Sequence, residues 1–74
     1  MARIDKLDPR ALERPKIHAA VTATCFTFSG EDGETYLQID TYGAPDREFP
    51  GKVSQSLQFG PDGLRALREI LDGL

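Results

Sequence analysis

Apolar and polar residues alternate along residues 34–42, a pattern typical of a β-strand that buries one of its two sides. Leu37 and Ile39 fall on one side of this alternation. The other side carries Tyr36, Gln38, Asp40 and Tyr42. We therefore predict a strand whose apolar side faces the core and whose polar side carries an aromatic ring at each end.

A second alternating segment, residues 53–59, follows a loop rich in Gly and Pro over residues 43–52. The predicted core-facing residues are Val53, Leu57 and Phe59. Gln55 interrupts this apolar set. The outward side carries Ser54, Ser56 and Gln58, which suit solvent and equally suit a flat binding surface.

The last residues of the chain have the spacing of an amphipathic helix. Gly60 is an acceptable N-cap, Pro61 suits the first helical position, and Asp62 complements the positive end of the helix dipole. The apolar stripe consists of Leu64, Leu67, Ile70, Leu71 and Leu74. We expect this stripe to pack on the sheet or on a second copy of itself.

Residues 17–28 also alternate, but the apolar side changes near Cys25, because Phe26 and Phe28 fall on the opposite side from the earlier apolar residues. A bulge would restore the alternation, and a turn would split the segment into two strands. We favour one long, bent strand, because no Gly, Pro, Asn or Asp interrupts it. The Asp-Gly pair at 32–33 then predicts a hairpin turn into the next strand.

Residues 1–16 mix charged and apolar side chains without a clear period. We predict a loosely ordered N-terminal arm here, followed by one domain over residues 17–74. The arm carries a local charge of +2, against −5 for the rest of the chain. It is alternatively a basic arm that docks on a partner or on phosphate groups.

The predicted fold is therefore α+β, a small antiparallel sheet of three to four strands followed by one C-terminal amphipathic helix. A chain of 74 residues buries only a small core. Its one cysteine excludes an intrachain disulfide, and one cysteine with one histidine is too few ligands for a zinc site, so we predict no metal and no cofactor. Self-association is the remaining way to stabilise so small a domain, and we predict a homodimer.

Charge and composition restrict the functions that are open to the chain. The net charge of −3 argues against a strong, non-specific binder of polyanions. No signal peptide and no apolar run of about 20 residues is present, which indicates a cytoplasmic protein without a membrane partner. No nucleophile, base and orienting group fall together in the sequence, so we predict that the protein is not an enzyme.

The order of these features resembles the C-terminal domain of the transcriptional coactivators called positive cofactor four, and of their small bacterial and phage relatives. The resemblance covers roughly residues 21–74. It is carried by the strand at 36–40 that ends in an acidic residue, the Pro-Gly-Lys at 50–52, and the strand-to-helix entry at 54–64.

The resemblance implies a four-stranded antiparallel sheet, dimerisation through the helix, and binding of single-stranded DNA along the sheets by basic and aromatic residues. Lys52 matches the family's loop lysine, and Arg47 lies in the same loop. With the arm included, the candidate nucleic-acid-binding residues are Tyr36, Tyr42, Arg47, Lys52, Arg14 and Lys16.

Two functions of different kinds follow from these expectations. The first is a single-stranded DNA- or RNA-binding module, a transcription or DNA-transaction cofactor that binds on the polar side of the sheet. The alternative is a protein-interaction or accessory subunit with the same fold and no nucleic-acid binding, which the acidic net charge favours.

Overall fold

The computed structural model describes residues 1–43 and 52–74, and shows a four-stranded sheet followed by one helix. In chain order the elements are β1 (Ala2–Ile4), β2 (Ala23–Ser29), β3 (Thr35–Tyr42), β4 (Val53–Phe59) and α1 (Pro61–Asp72). The strand order across the sheet is β1-β4-β3-β2. Strands β2, β3 and β4 are antiparallel, and β1 lies parallel to β4, so the sheet is mixed. The prediction of a small α+β fold with a C-terminal helix is confirmed.

Strand β1 comes from the segment for which the sequence predicts a loosely ordered arm. Three residues with a single large apolar side chain, Ile4, give no periodic signal, and this is why the pattern misses the strand. Pairing of Ile4 with Phe59 and a hydrogen bond from the Gly60 amide to the Ile4 carbonyl (3.2 Å) hold β1 on the sheet. The chain between β1 and β2 contains no helix or strand.

Strand β2 is shorter than the long strand that the sequence predicts. Ala23 pairs with Thr41, and the Thr22 carbonyl accepts a hydrogen bond from the Tyr42 amide (2.9 Å), so the residues before Thr22 run past the end of β3. The pairing of β2 with β3 continues without a register shift from Ala23 to Ser29. No bulge therefore restores the alternation, and the predicted bend is absent from the strand.

The turn between β2 and β3 forms at the predicted Asp-Gly pair. Gly33 adopts a φ of 77°, in the left-handed region that glycine enters without steric cost. The Gly33 amide donates to the Gly30 carbonyl (3.0 Å), and the Glu34 amide donates to Asp32 Oδ1 (3.0 Å). These bonds fix the start of β3 directly beside the end of β2.

The core is confined to one face of the sheet, where Leu37 lies opposite Phe59 and Ile39 lies opposite Leu57. Phe59, 7% exposed, is the only buried hydrophobic residue in the described part of the chain. The prediction that Val53 joins this core is wrong. A register shift next to Tyr42 places Val53 opposite Tyr42, and Val53 is 43% exposed.

Helix α1 begins as predicted, with Gly60 as N-cap and Pro61 in the first turn. It contacts β3 and β4, and its buried Gly63 lies directly against the backbone of Ile4. Because these contacts involve the middle of the sheet, Cys25 on the outer strand β2 is exposed. Among the described residues, no helix is long and apolar enough to cross a membrane.

Candidate functional site

The sheet face opposite the Leu37–Phe59 pair is open and carries polar and aromatic side chains; we call it the polar face. Strand pairing assigns its residues, because partners directly across from one another point to the same side of a sheet. They are Arg3 on β1, Thr24, Phe26 and Phe28 on β2, Tyr36, Gln38, Asp40 and Tyr42 on β3, and Ser56 and Gln58 on β4.

A chain of side-chain hydrogen bonds connects the centre of the polar face. Gln58 Nε2 donates to Gln38 Oε1 (2.9 Å), and Gln38 Nε2 donates to Asp40 Oδ1 (3.0 Å). Ser56 Oγ donates to the same Asp40 oxygen (2.6 Å). All four side chains are only half-buried, so the network holds two amides and one carboxylate in fixed orientations at an accessible surface.

An aromatic platform borders this network. The rings of Phe28 and Tyr36 stack with centroids 5.6 Å apart and planes inclined by 13°. Phe26 lies opposite Gln38, next to the stacked pair. Phe26 and Phe28 are 45% and 41% exposed, which is unusual for large apolar rings on a folded sheet. Two to three ring surfaces are therefore accessible to a flat ligand.

Asp32, in the turn, holds the platform in place. Tyr36 Oη donates to Asp32 Oδ2 (2.7 Å), and this bond lowers the pKa of Asp32 below its ordinary 3.8, with a further contribution from the Glu34 amide. The same bond is the main reason that the pKa of Tyr36 is raised above its ordinary 10.0. The bond stabilises the fold while Asp32 is ionised, so the stability linked to Asp32 is fully present above pH 3.8 and is lost as the pH falls through the lowered pKa of Asp32. The bond also needs a protonated Tyr36 hydroxyl, so the stability linked to Tyr36 is fully present below pH 10.0 and is lost as the pH rises through the raised pKa of Tyr36.

We predict that Tyr36→Phe moves the pKa of Asp32 back up toward 3.8, because the variant removes the hydroxyl that donates to the carboxylate. A carboxyl-carbon NMR titration of both proteins measures this change. Tyr42→Phe is the matched control, since Tyr42 bonds to Thr24 and lies at the other end of β3. Identical Asp32 titrations in wild type and Tyr36→Phe would contradict the assignment.

Arg3 places a positive charge at the same end of the polar face as the aromatic platform. It pairs with Gln58 in the sheet, and its guanidinium forms an ion pair with Asp5 (3.0 Å). The Arg3 side chain lies over Gly60, the residue that follows β4 and has no side chain of its own. If Gly60 had a Cβ, that atom would lie 3.7 Å from Arg3 Cδ. The Arg3 side chain is 55% exposed and accessible to an anionic group.

The predicted site residues are only partly brought together. Tyr36 and Tyr42 both lie on the polar face, at opposite ends of β3, and Tyr42 Oη accepts a hydrogen bond from Thr24 Oγ1 (3.0 Å). Lys52 directly precedes β4, at the Tyr42 end. Arg14 and Lys16 lie in the exposed segment between β1 and β2 and make no hydrogen bond or ion pair with the described residues. Arg47 lies outside the described residues.

Sequence reasoning missed three residues of this surface. Phe26 and Phe28 produce the change of apolar side near Cys25, and the sequence alone favours a bend in the strand there and not exposed rings. Arg3 gave no signal, because its place on the polar face depends on the pairing of β1 with β4, more than 50 residues later in the chain.

Comparison with known proteins gives no family for this chain: no family model matches it, and neither do curated proteins or solved structures. In the described ranges, no group of three or more His, Cys, Asp or Glu side chains is placed to hold a metal ion. The groups that the polar face presents are aromatic rings, amides, hydroxyls and a few charges.

Proposed function

We propose that this protein is a non-enzymatic, homodimeric module that binds single-stranded nucleic acid on its polar face. The observation that carries the proposal is the stacked Phe28–Tyr36 pair, open to solvent beside the oriented amides of Gln38 and Gln58. Unpaired bases stack on aromatic rings. The edges of the bases carry hydrogen-bond donors and acceptors, and a side-chain amide can bond to both. Duplex DNA offers no comparable ring faces.

Charge sets the expected strength of this interaction. Arg3 at the platform end and Lys52 at the Tyr42 end supply cations near both ends of the polar face. Asp40 lies between them and repels phosphate, so a strand would place bases and not phosphates over the centre. With a net charge of −3, we expect moderate affinity at low salt. Arg47, Arg14 and Lys16 remain candidates for further phosphate contacts.

The large exposed surface of the single chain supports the proposed homodimer, because a second copy would bury part of that surface. The protein exposes 6480 Å² of surface, whereas a compact monomer of this mass exposes roughly 4,500 Å². The long segment between β1 and β2 accounts for part of the excess, since nearly all of it is exposed. A single buried hydrophobic side chain among the described residues is a small core for an isolated domain. A cytoplasmic cofactor in transcription or DNA transactions is the role that the resemblance to the coactivators suggests.

The test is fluorescence anisotropy with labelled oligo-dT at low and moderate salt, with a duplex of the same length as control. We expect the single strand to bind more tightly and to weaken as salt rises. Phe28→Ala should weaken binding about tenfold, because each base stacked on an aromatic ring contributes ~1–3 kcal/mol. Thr27→Ala is the matched control, since Thr27 is the neighbouring residue on the other face of β2. Circular dichroism verifies that both variants keep their secondary structure.

Wild-type affinity in Phe28→Ala would rule out the polar face as the binding site. Absence of binding at low salt would instead favour the second candidate, a protein-interaction subunit with the same fold. That candidate is supported by the charge of −5 over residues 17–74 and by the central Asp40 carboxylate, both of which suit a basic protein partner.

A further inference from the structure

We infer that two copies of this chain pair edge to edge through β2, in antiparallel orientation with the two Phe26 residues facing each other at the two-fold axis. The inference rests on the proposed homodimer and specifies its interface. Strand β2 is the outer strand of the sheet, with β3 on one side and no strand of the described chain on the other. Its outward backbone groups are therefore open to a partner strand.

The hydrogen-bond pattern of the β2–β3 hairpin shows which backbone groups point outward. The Tyr42 amide donates to the Thr22 carbonyl and the Gly30 amide donates to the Glu34 carbonyl, both in the register of the strand pair. In an antiparallel pair the bonded positions alternate, so the even-numbered residues of β2 bond to β3. The outward amides and carbonyls belong to Ala23, Cys25, Thr27 and Ser29.

The sequence of β2 itself carries none of the residues with which sheet proteins protect an open edge. Its seven residues, Ala-Thr-Cys-Phe-Thr-Phe-Ser, include no charge and no proline, and the strand has no bulge. The opposite edge of the sheet differs in both respects, because β1 has three residues and includes Arg3. Only the β2 edge is long, uncharged and rich in residues with high β-propensity.

The β2 sequence is complementary to itself when the axis passes through Phe26. Ala23 then lies opposite the partner's Ser29, and Cys25 lies opposite the partner's Thr27, so all outward groups find partners in about eight hydrogen bonds. Phe26 faces its own copy in a non-hydrogen-bonded pair, where side chains approach most closely. Since no residue of β2 is charged, two identical edges meet without repulsion.

The β2 edge is a better surface for a second copy of the chain than the exposed end of α1. Leu71 and Leu74 at the end of the helix are 56% and 94% exposed, but they fall in its last turn and beyond it. Pairing through β2 covers the half-exposed Phe26 and satisfies a whole row of backbone groups. It also joins the two polar faces on the same side of one eight-stranded sheet, with both Phe28–Tyr36 platforms near its middle.

Amide hydrogen exchange on the wild-type protein tests the interface without any substitution. The amides of Thr24, Phe26 and Phe28 bond to β3 and should be protected at every concentration. The amides of Cys25 and Thr27 should exchange about 100-fold more slowly than in an open chain at high concentration, and should lose this protection on dilution to the monomer. Rapid exchange at Cys25 and Thr27 at a concentration where light scattering shows a dimer would overturn the β2 interface.

Cysteine cross-linking tests the register, in a background where Cys25→Ser removes the native thiol. Phe26→Cys should form an interchain disulfide on mild oxidation, because the Cα atoms of a non-hydrogen-bonded pair lie about 4.5 Å apart, within the range of a disulfide. Thr24→Cys should not, because the two copies of residue 24 lie about 14 Å apart along the strands. Cross-linking of Thr24→Cys and not Phe26→Cys would overturn the proposed register.

Light scattering separates the failure of this inference from the failure of the proposed homodimer. A monomer mass at all concentrations would overturn both the homodimer and the β2 interface, and would leave the nucleic-acid proposal to the anisotropy test. A dimer without protected outward amides and without the Phe26→Cys disulfide would retain the homodimer and overturn the β2 interface in favour of another surface, such as α1.

Discussion

Phe59→Ala is expected to destabilise the protein more than any other single truncation in the described chain. Phe59 is the one buried hydrophobic residue there, and it pairs with Leu37 on one side and with Ile4 on the other. Replacing a buried phenylalanine by alanine costs about 3–5 kcal/mol, and a small domain has about 0.05–0.15 kcal/mol of stability per residue. For 74 residues that is about 4–11 kcal/mol, so the variant should lose roughly a third or more of its free energy of unfolding, which urea titration followed by far-UV circular dichroism measures.

Two control variants show whether lost packing explains the effect. Phe59→Leu keeps most of the buried volume and should cost less than half as much as the alanine variant. Leu12→Ala removes a leucine that is 73% exposed and should change the free energy of unfolding by less than about 0.5 kcal/mol. If Phe59→Ala were as stable as Leu12→Ala, the core described above would be wrong.

The C-terminal half of the fold could be predicted because local rules determine it. Alternation along β3 assigns Leu37 and Ile39 to the core, and the glycine and proline at 60–61 mark the start of α1. The Asp-Gly pair at 32–33 marks the turn before β3. In each case the residues that carry the signal lie within a few positions of the structure they specify.

The first 22 residues could not be predicted in the same way. Strand β1 is too short for a period, and only its pairing with β4 at the far end of the chain makes it a strand. The start of β2 depends on where β3 ends, because an alternating segment forms no sheet beyond its partner strand. Contacts between residues distant in sequence therefore determine both the existence of β1 and the first residue of β2.

The polar face shows the same division between local and distant information. Period two places Tyr36 and Tyr42 on one side of β3, and the structure confirms that arrangement. The exposed rings of Phe26 and Phe28 break the expected alternation, and the sequence alone favours a bent strand as the explanation. In this small sheet with one covered face, the two rings that break the alternation lie exposed on the other face, which is the surface that the nucleic-acid proposal uses.

Gly63→Ala is the second substitution for which we expect a large effect, and it tests the contact between the two ends of the chain. An added Cβ would overlap the Ile4 carbonyl oxygen and would lie 2.9 Å from the Ile4 carbonyl carbon. These are backbone atoms of β1, which cannot rotate away, so either β1 or α1 must move. We expect a net loss of about 2 kcal/mol, even though alanine favours a helix over glycine by ~1 kcal/mol, and a midpoint of thermal unfolding lower by roughly 10 °C.

The matched control for this substitution is Gly73→Ala, at the other end of α1. Gly73 has a φ of −88°, which alanine adopts readily, and an added Cβ would lie no closer than 3.6 Å to its nearest neighbour. This variant should unfold at the wild-type temperature or slightly above it, when both are measured at the same protein concentration. A Gly63→Ala protein as stable as Gly73→Ala would mean that α1 does not lie against β1. The Ile4 carbonyl that Gly63 contacts also accepts the hydrogen bond from the Gly60 amide, so that result would also count against the position of β1 beside β4 and of Arg3 on the polar face.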